Sequence, residues 1–445
     1  MTDQKSVNLS GPAIAIAVIV LGAIAAEYWF IPDREPATPS VTVEPVSAPA
    51  QSNAAPPSPP PPVSTPDAAP ATATASENVE VPLATTWSTY HGGTDLTGKT
   101  KLNVSQKPAK RWQYFAEGAV NQAPVGDGNG VYIATRSGNL VALDLEGKER
   151  WTKVIMGSGR NGTPAPERFE APLSLHNGTL FIGSMAGIVH AVDSQTGEPR
   201  WQYDVNGEIL GAVNFHPAES PSDPGRLFVI ERVDGALHCI SHDAGTQLWR
   251  TDNISRCDGS AAVGNGLVVF GSCACAFHAY GAVDGRRMQN IDLGPDCQVA
   301  SGPALVGDDI FCGSRLGHFF RANIRTGKIV WTNKDSQKEL FTTPAVGDTL
   351  VFYGSDDKHI YAVDRETGVQ KWKHKTDGTP TSPVIAADQL LFGADGVLIA
   401  LALDTGEEVW SHEVSDSISS PSVINDLIIV GSEDGTVVAF GSGTT

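Results

Sequence analysis

Positive charge is in the minority in this chain of 445 residues, where 31 lysines and arginines stand against 50 aspartates and glutamates and the formal net charge is −19. This balance argues against a nucleic-acid partner, because phosphate backbones are bound by clustered lysine and arginine. Helical periodicity is also lacking after residue 31, where no window of ordinary helix length repeats every 3.6 residues. No phosphate-binding loop, Ser-His-Asp set or paired carboxylates stand out, so the residues point to no class of enzyme.

Long apolar runs are limited to one, residues 12–31, in which Glu27 is the only charge. Twenty residues of helix span a bilayer core of about 30 Å, so we expect a signal anchor with residues 1–11 in the cytoplasm. The alternative is a signal peptide cleaved after Ala23-Ile24-Ala25. Under both interpretations we expect the rest of the chain to be exported from the cytoplasm. The anchor predicts a single-pass protein of the inner membrane with its folded part in the periplasm.

Cysteine is scarce and absent before Cys239, so we expect no lipid-modified cysteine near the amino end. Residues 32–86 are dominated by proline, alanine, serine and threonine and lack the apolar pattern of a core. Such a segment favours extended conformations of about 3.1 Å per residue. We expect a disordered linker that holds the folded part, residues 87–445, away from the membrane.

A repeat organises the rest of the chain. The second glycine of each unit recurs every 38 to 50 residues, at Gly147, Gly197, Gly245, Gly285, Gly327, Gly368 and Gly406. A tryptophan follows each glycine four residues later, except in the fourth unit, where Gln289 replaces it. Short apolar runs between Gly and Asp turns indicate strands. Four strands in about 40 residues are typical of a β-propeller blade.

The units number eight, but the last ends at Thr445 before its fourth strand. Near the start, Lys110 to Phe115 forms a tryptophan-containing strand without earlier strands of its own. We therefore predict an all-β, eight-bladed β-propeller of four-stranded antiparallel blades. The amino-terminal strand completes the last blade and leaves the ring without an open edge.

The skeleton Ala-Val/Leu-Asp-x-x-Thr-Gly-x-x-x-Trp, as in Ala191 to Trp201 and Ala362 to Trp372, resembles the repeat of the pyrroloquinoline-quinone (PQQ)-type β-propeller family. That family includes quinone-dependent dehydrogenases, the outer-membrane assembly lipoprotein BamB, and extracytoplasmic sensor or scaffold domains. The resemblance implies that the repeated tryptophans pack between blades and are structural: Trp112, Trp151, Trp201, Trp249, Trp331, Trp372 and Trp410.

The resemblance is compatible with two functions. A BamB-like, membrane-tethered binding or scaffold propeller needs no cofactor. The alternative, a PQQ-dependent dehydrogenase, requires a quinone stacked between a tryptophan and a vicinal Cys-Cys disulfide, with acidic and amide ligands for calcium. Here Ala274 separates the nearest cysteines, Cys273 and Cys275, and no matching acidic set is present. We therefore expect a scaffold with an envelope protein as partner, and no cofactor.

Four of the six cysteines fall in connections that a four-stranded blade places on one face: Cys257, Cys273, Cys275 and Cys297. In an exported protein we expect one or two disulfides among them. A metal site with His278 and free thiols are the alternatives. Cys239 and Cys312 occupy apolar strand positions and are expected to be buried. His190, His238 and His278 repeat at equivalent places, about 10 Å or more apart, and are expected to lie between blades.

Two long connections interrupt the repeat, Ile155 to Ala171 and Asn206 to Arg226. We expect both to lie on the face that carries the four cysteines, since extended loops on a rigid scaffold are the usual place for binding. Their arginine, aromatic and histidine residues are candidate contacts for a partner: Arg160, Arg168, Phe169, Phe215 and His216.

Overall fold

Four-stranded sheets succeed one another along the chain in the computed structural model, which describes residues 86–158, 163–216 and 223–443. The predicted membrane segment and linker, residues 12–31 and most of 32–86, lie outside the described residues. None of the described segments contains a helix with the length and apolarity needed to cross a bilayer. The eight-bladed, four-stranded antiparallel propeller is confirmed.

The strands of the first four blades run in chain order from the centre of the ring outward. They are preceded by β1 (Lys99–Thr100) and β2 (Ala109–Phe115). The blades contain β3 to β6 (Val125–Asp127, Gly130–Ala134, Asn139–Leu143, Glu149–Val154), β9 to β12 (Ser174–His176, Thr179–Gly183, Ile188–Asp193, Pro199–Asp204), β13 to β16 (Asn214–His216, Arg226–Ile230, Leu237–Ser241, Gln247–Arg250) and β17 to β20 (Ala262–Gly264, Leu267–Ser272, Ala276–Gly281, Arg287–Asp292). A hairpin of β7 (Met156–Ser158) and β8 (Pro164–Pro166) lies between the first and second blades.

The second half of the ring repeats this order. Its blades contain β21 to β24 (Ala304–Val306, Asp309–Gly313, Phe319–Asn323, Lys328–Asn333), β25 to β28 (Ala345–Val346, Leu350–Ser355, His359–Asp364, Gln370–Lys375), β29 to β32 (Val384–Ala386, Gln389–Ala394, Val397–Ala402, Glu408–Glu413) and β33 to β35 (Ser422–Ile424, Leu427–Gly431, Thr436–Gly441). β2 pairs antiparallel with β35 and supplies the fourth strand of the last blade, as the sequence predicts.

The core lies between neighbouring blades. Tyr132 and Leu140 of the first blade, for example, pack in one buried cluster with Leu180 and Ile182 of the second. Second and third strands are apolar on both faces because each sheet is covered on both sides. In every blade the fourth strand pairs with the third through a register shift, which falls between Ala191 and Val192 in the second blade. This bulge sets the direction of the tryptophan side chain.

The tryptophans join consecutive blades. Trp151 Nε1 donates to the Ser194 carbonyl of the next blade at 3.1 Å, and the indole lies against Gly197. Five more tryptophans donate to a carbonyl of the following blade at 2.9 to 3.1 Å: Trp112, Trp201, Trp249, Trp331 and Trp372. Trp410 bonds Gln389 Oε1 of its own blade instead. The next blade is the closing one, in which no turn joins β35 to β2.

Candidate partner-binding face

Two faces of the ring differ in their connections. We call the face that carries the blade-to-blade connections and the turns between second and third strands the loop face, and the opposite one the turn face. On the loop face, in seven of the eight blades, one residue of the turn between second and third strands donates its backbone N–H to the preceding connection. Arg232 N, for example, lies 2.8 Å from Glu208 O, and Arg315 N lies 2.8 Å from Gln298 O. These bonds hold equivalent positions in a ring around the channel mouth.

Charge is distributed unevenly around that ring. Arg136, Arg232 and Arg315 occupy the turn position in the first, third and fifth blades. Asp356 and Glu433 occupy it in the sixth and eighth blades. A chain with a net charge of −19 thus concentrates arginine on one half of its loop face.

Three arginines converge on Asp258, Arg256 from the same connection and Arg232 and Arg315 from turns of the third and fifth blades. Arg232 Nε lies 2.9 Å from Asp258 Oδ1, Arg256 Nε lies 3.0 Å from the same oxygen, and Arg315 Nη2 lies 3.1 Å from Oδ2. Burial alone would raise the pKa of Asp258, but the bonds from Arg256 and Arg232 outweigh it and hold the pKa below its usual value. Arg232 also pairs with Glu208. We call Arg232, Arg256, Arg315 and Asp258 the arginine cluster.

The arginine cluster keeps donors available to a partner. The Arg256 side chain is 49% exposed and that of Arg315 is 35% exposed, whereas Asp258 is 10% exposed. The Arg315 guanidinium lies over the ring of Phe341, 5.0 Å from its centroid, and Phe341 is itself exposed. Arginine and aromatic side chains in such partly packed pairs are typical of protein contact surfaces.

A second acidic residue binds arginines at the first long connection. Glu170 Oε1 accepts from Arg136 Nε at 2.8 Å and from Arg168 Nη2 at 2.6 Å. Arg168 is mostly exposed, as a contact residue must be. Phe169 beside it is buried and packs edge-on against His190 at 5.9 Å, so it offers no surface to a partner. Arg160 lies outside the described residues.

The second long connection leads from the loop face into an innermost strand. Asn214 to His216 form β13, the innermost strand of the third blade, and pair with β14. Phe215 is buried and stacks on His176 at 4.2 Å. The first part of this connection lies on the loop face, where Glu208 O accepts from Arg232 N, whereas β13 leads Phe215 and His216 away from that face.

The four clustered cysteines do lie on the loop face, in the connections and the turn that the spacing predicts. All six cysteines are free, however, which corrects the expectation of disulfides. The thiols contact other groups: Cys257 Sγ lies 3.2 Å from Ser255 O, and Cys297 Sγ lies 3.6 Å from His318 Nδ1. Cys239 and Cys312 are fully buried. Among the described residues no three His, Cys, Asp or Glu side chains are arranged to hold a metal ion.

The repeated histidines each bond to nearby strands. His190 Nδ1 lies 3.2 Å from Gln202 Nε2, and His190 Nε2 lies 3.3 Å from buried Glu167. His238 Nδ1 lies 2.9 Å from the Tyr203 hydroxyl of the preceding blade. His278 Nε2 lies 2.8 Å from Ser272 Oγ. Burial lowers the pKa of His238 and His278 to about 4, so both are neutral under physiological conditions.

The centre of the ring is filled by a segment that the sequence analysis did not single out. Residues 87–100 contact the innermost strands of most blades, and Trp87, His91 and Leu96 are buried there. These residues do not fit a quinone stacked in the channel, since the chain itself lies in that space and Cys273 and Cys275 form no disulfide. The only sequence signal for the segment is the density of aromatic and glycine residues from Trp87 to Gly93.

Comparison with known proteins agrees with the fold. The family model described as "Outer membrane protein assembly factor BamB" matches residues 163–290 and 233–445. The chain belongs to this family. The BamB of Shewanella oneidensis is 26% identical over 313 residues, which cover 61% of this chain and 74% of that protein. The BamB of Escherichia coli is 25% identical over 325 residues, covering 61% and 82%.

Solved structures show the same architecture. The crystal structure of BamB from Moraxella catarrhalis superposes with a TM-score of 0.61 at 19% identity, covering 76% of this chain and 99% of that one. The quinohemoprotein alcohol dehydrogenase of Comamonas testosteroni superposes with a TM-score of 0.65 at 13% identity, covering 82% of each chain. At such identities the likeness concerns the fold alone.

Proposed function

We propose that this chain is a non-enzymatic binding or scaffold propeller that holds an envelope protein at the arginine half of its loop face. The observation that carries the proposal is the convergence of Arg232, Arg256 and Arg315 on Asp258, from two turns and one connection. Four charged groups held in this way are preorganised, so a partner does not bear the cost of ordering them. Their exposed N–H groups suit a partner with carboxylate or carbonyl oxygens at its surface.

Membership of the BamB family supports this proposal, since the relatives are named as outer membrane protein assembly factors. A scaffold of that kind acts by contact and requires no reacting group. We further propose the arrangement expected from the sequence: residues 12–31 as a single inner-membrane span, 32–86 as a linker, and 87–445 as a propeller in the periplasm. Carbonate extraction of membranes from cells that produce the full chain tests the span, and release of the protein into the wash would contradict it.

The contact face is tested by charge reversal at matched positions. Arg256→Glu changes an exposed arginine of the loop face, and Arg325→Glu changes an arginine of the turn face that is 79% exposed and paired with Asp308. Each full-length variant is crosslinked in intact cell envelopes, and captured proteins are identified by mass spectrometry. We expect Arg256→Glu to lose a crosslinked partner that Arg325→Glu and the unchanged chain retain. Equal recovery from both variants, or crosslinks confined to the turn face, would contradict the proposal.

A further inference from the structure

Residues 87–100 lie inside the ring and are bonded to it through their backbone. Six carbonyls of this segment each accept the N–H of the second residue of an innermost strand. The donor and acceptor pairs are Gly126 N to Trp87 O, Leu175 N to Ser88 O, Val263 N to Thr94 O, Leu305 N to Asp95 O, Val346 N to Thr97 O and Ile385 N to Gly98 O, at 2.7 to 3.0 Å. Asn214 Nδ2 adds a bond to Thr94 O at 2.7 Å from the remaining blade of this series. Seven of the eight blades therefore share one segment.

The bonds cover an edge that a propeller otherwise leaves open. The innermost strand of each blade has an unpaired side directed at the ring axis, with N–H groups that need an acceptor. The repeat places these groups at the same position in each blade, and the segment meets them one after another. An extended chain that turns around the axis satisfies these groups in six blades, and in the third blade the N–H of Phe215 bonds Asn214 Oδ1 instead.

Side chains fix the segment in the channel. His91 is fully buried, with Nδ1 2.8 Å from Leu96 O of the same segment and Nε2 2.9 Å from Pro383 O of the seventh blade. The Tyr90 hydroxyl bonds Thr343 Oγ1 of the sixth blade. Gly98 has a φ of +61°, and a β-carbon there would overlap the His91 ring. Glycine is therefore required for both the backbone angle and the packing.

The segment enters and leaves the channel on the turn face. Trp87 bonds Gly126 beside the turn that joins β3 to β4, and Thr86 before it is exposed. At the other end, Lys99 Nζ lies 2.7 Å from Asp348, in the turn between β25 and β26. Gln106 then contacts Asp388, in the corresponding turn of the seventh blade, before the chain continues into β2.

We propose that residues 87–100 are an anchoring plug that closes the channel at the turn face. Its bonds attach the point where the preceding chain leaves the ring to seven blades. A pull on that chain is then shared among the innermost strands. The exit lies on the turn face, so the arginine cluster on the loop face remains free. This inference goes beyond the proposed function, and it is tested with no partner present.

Hydrogen exchange of the full chain tests the plug directly. Gly98→Val places a side chain against His91, while Gly266→Val is the matched control, with a φ of +72° and nothing within 4 Å of the added β-carbon. We expect Gly98→Val to speed exchange of the amides of Val263, Leu305 and Ile385 by about tenfold or more, because they lose their acceptors. Gly266→Val changes exchange only near its own turn. Equal exchange in the two variants at Leu305 and Ile385 overturns the plug.

A second variant serves if Gly98→Val does not fold. His91→Ala removes the contacts of both ring nitrogens without a clash and is expected to speed the same amides, and unchanged exchange there counts against the proposal. The exit is tested by a photo-reactive benzoylphenylalanine at Thr86 of the full chain. We expect crosslinks to turn-face peptides such as that around Asp127. Crosslinks to loop-face peptides containing Arg136 or Glu433 overturn the proposed exit.

Discussion

Gly197 lies against the indole of Trp151, so that a β-carbon at position 197 would stand 2.8 Å from Trp151 Cε3. The same relationship links a glycine of one blade to the tryptophan of the blade before it around most of the ring. The repeat skeleton is therefore a contact between blades, since the glycine of each unit receives the tryptophan of its predecessor. Only a residue without a β-carbon leaves room for the ring at that distance.

Gly197→Ala should lower the free energy of unfolding by about 2 kcal/mol, because the rigid indole cannot withdraw and overpacking is costly. Gly327→Ala is the control, with a similar positive φ but with flexible Gln289 as its neighbour. Thermal and urea unfolding of both variants measure the difference. Equal losses at the two positions would show that backbone strain alone, and not the indole, decides the cost.

Gln289→Trp should stabilise the ring by roughly 1 kcal/mol through burial of the indole and one further hydrogen bond. Position 289 faces Gly327 as the tryptophans face their glycines, and the Ile324 carbonyl occupies the place that accepts the indole N–H in other blades. The midpoint of urea unfolding checks this prediction. An unchanged or lower midpoint would mean that the fourth blade has adjusted its packing to glutamine.

Asp258→Asn should lower stability at neutral pH by about 2 kcal/mol, since three arginines lose the charge that they share in a half-buried site. The pKa of Asp258 is lowered in the folded state, so its contribution is present above the ordinary aspartate pKa of about 4 and is lost as pH falls through the folded value. The two proteins should therefore differ at pH 7 and converge as the pH falls below the ordinary aspartate pKa. A difference that does not depend on pH would contradict this account.

Acid should destabilise the propeller already at pH values well above those at which carboxylates titrate. Burial lowers the pKa of His91, His176, His238 and His278 to about 4, whereas the unfolded chain binds a proton at each near pH 6.5. The contribution of these histidines to the free energy of unfolding is fully present above pH 6.5 and declines as the pH falls toward 4. Thermal midpoints at pH 7, 6 and 5 measure the decline, and His278→Asn should reduce its slope. A flat profile would contradict the assignment of neutral buried rings.

Thiol titration tests whether the six cysteines are free thiols. In denaturant without reductant, all six should react. In the native protein only Cys273 and Cys275 should react readily, because the other four are buried. Burial also raises the pKa of the Cys257 thiol, which disfavours the reactive thiolate. Fewer than six thiols in denaturant would restore the disulfide interpretation.

The repeat made the ring predictable from sequence, because blade geometry depends on local turns and on the spacing of glycine and tryptophan. The count of blades and the closing strand around Trp112 followed from the same spacing. The plug did not, since residues 87–100 are unrepeated and their bonds go to strands distant along the chain. The position of Phe215 was also missed, because an innermost strand of three residues carries too little pattern to separate it from a loop.

None of the residues of the arginine cluster was predicted from the sequence as a contact residue. Arg168 was a candidate because its connection is long, but Arg232, Arg256 and Arg315 lie in segments of ordinary length. Their convergence depends on the rotation between successive blades, which brings two turns and one connection to one carboxylate. No spacing within a single unit encodes such a contact. Four of the five contact residues predicted from the sequence lie in the described segments, and of these Arg168 alone is an exposed arginine on the loop face.

The pairing of β2 with β35 has a consequence for the order of synthesis. The two strands are separated by almost the whole propeller along the chain, so the last blade cannot be completed until the carboxyl end has emerged. During that interval β2 has no partner strand, and closing so long a loop is slow. The exposed edge of β2 must therefore be kept from pairing with another molecule until β35 is available.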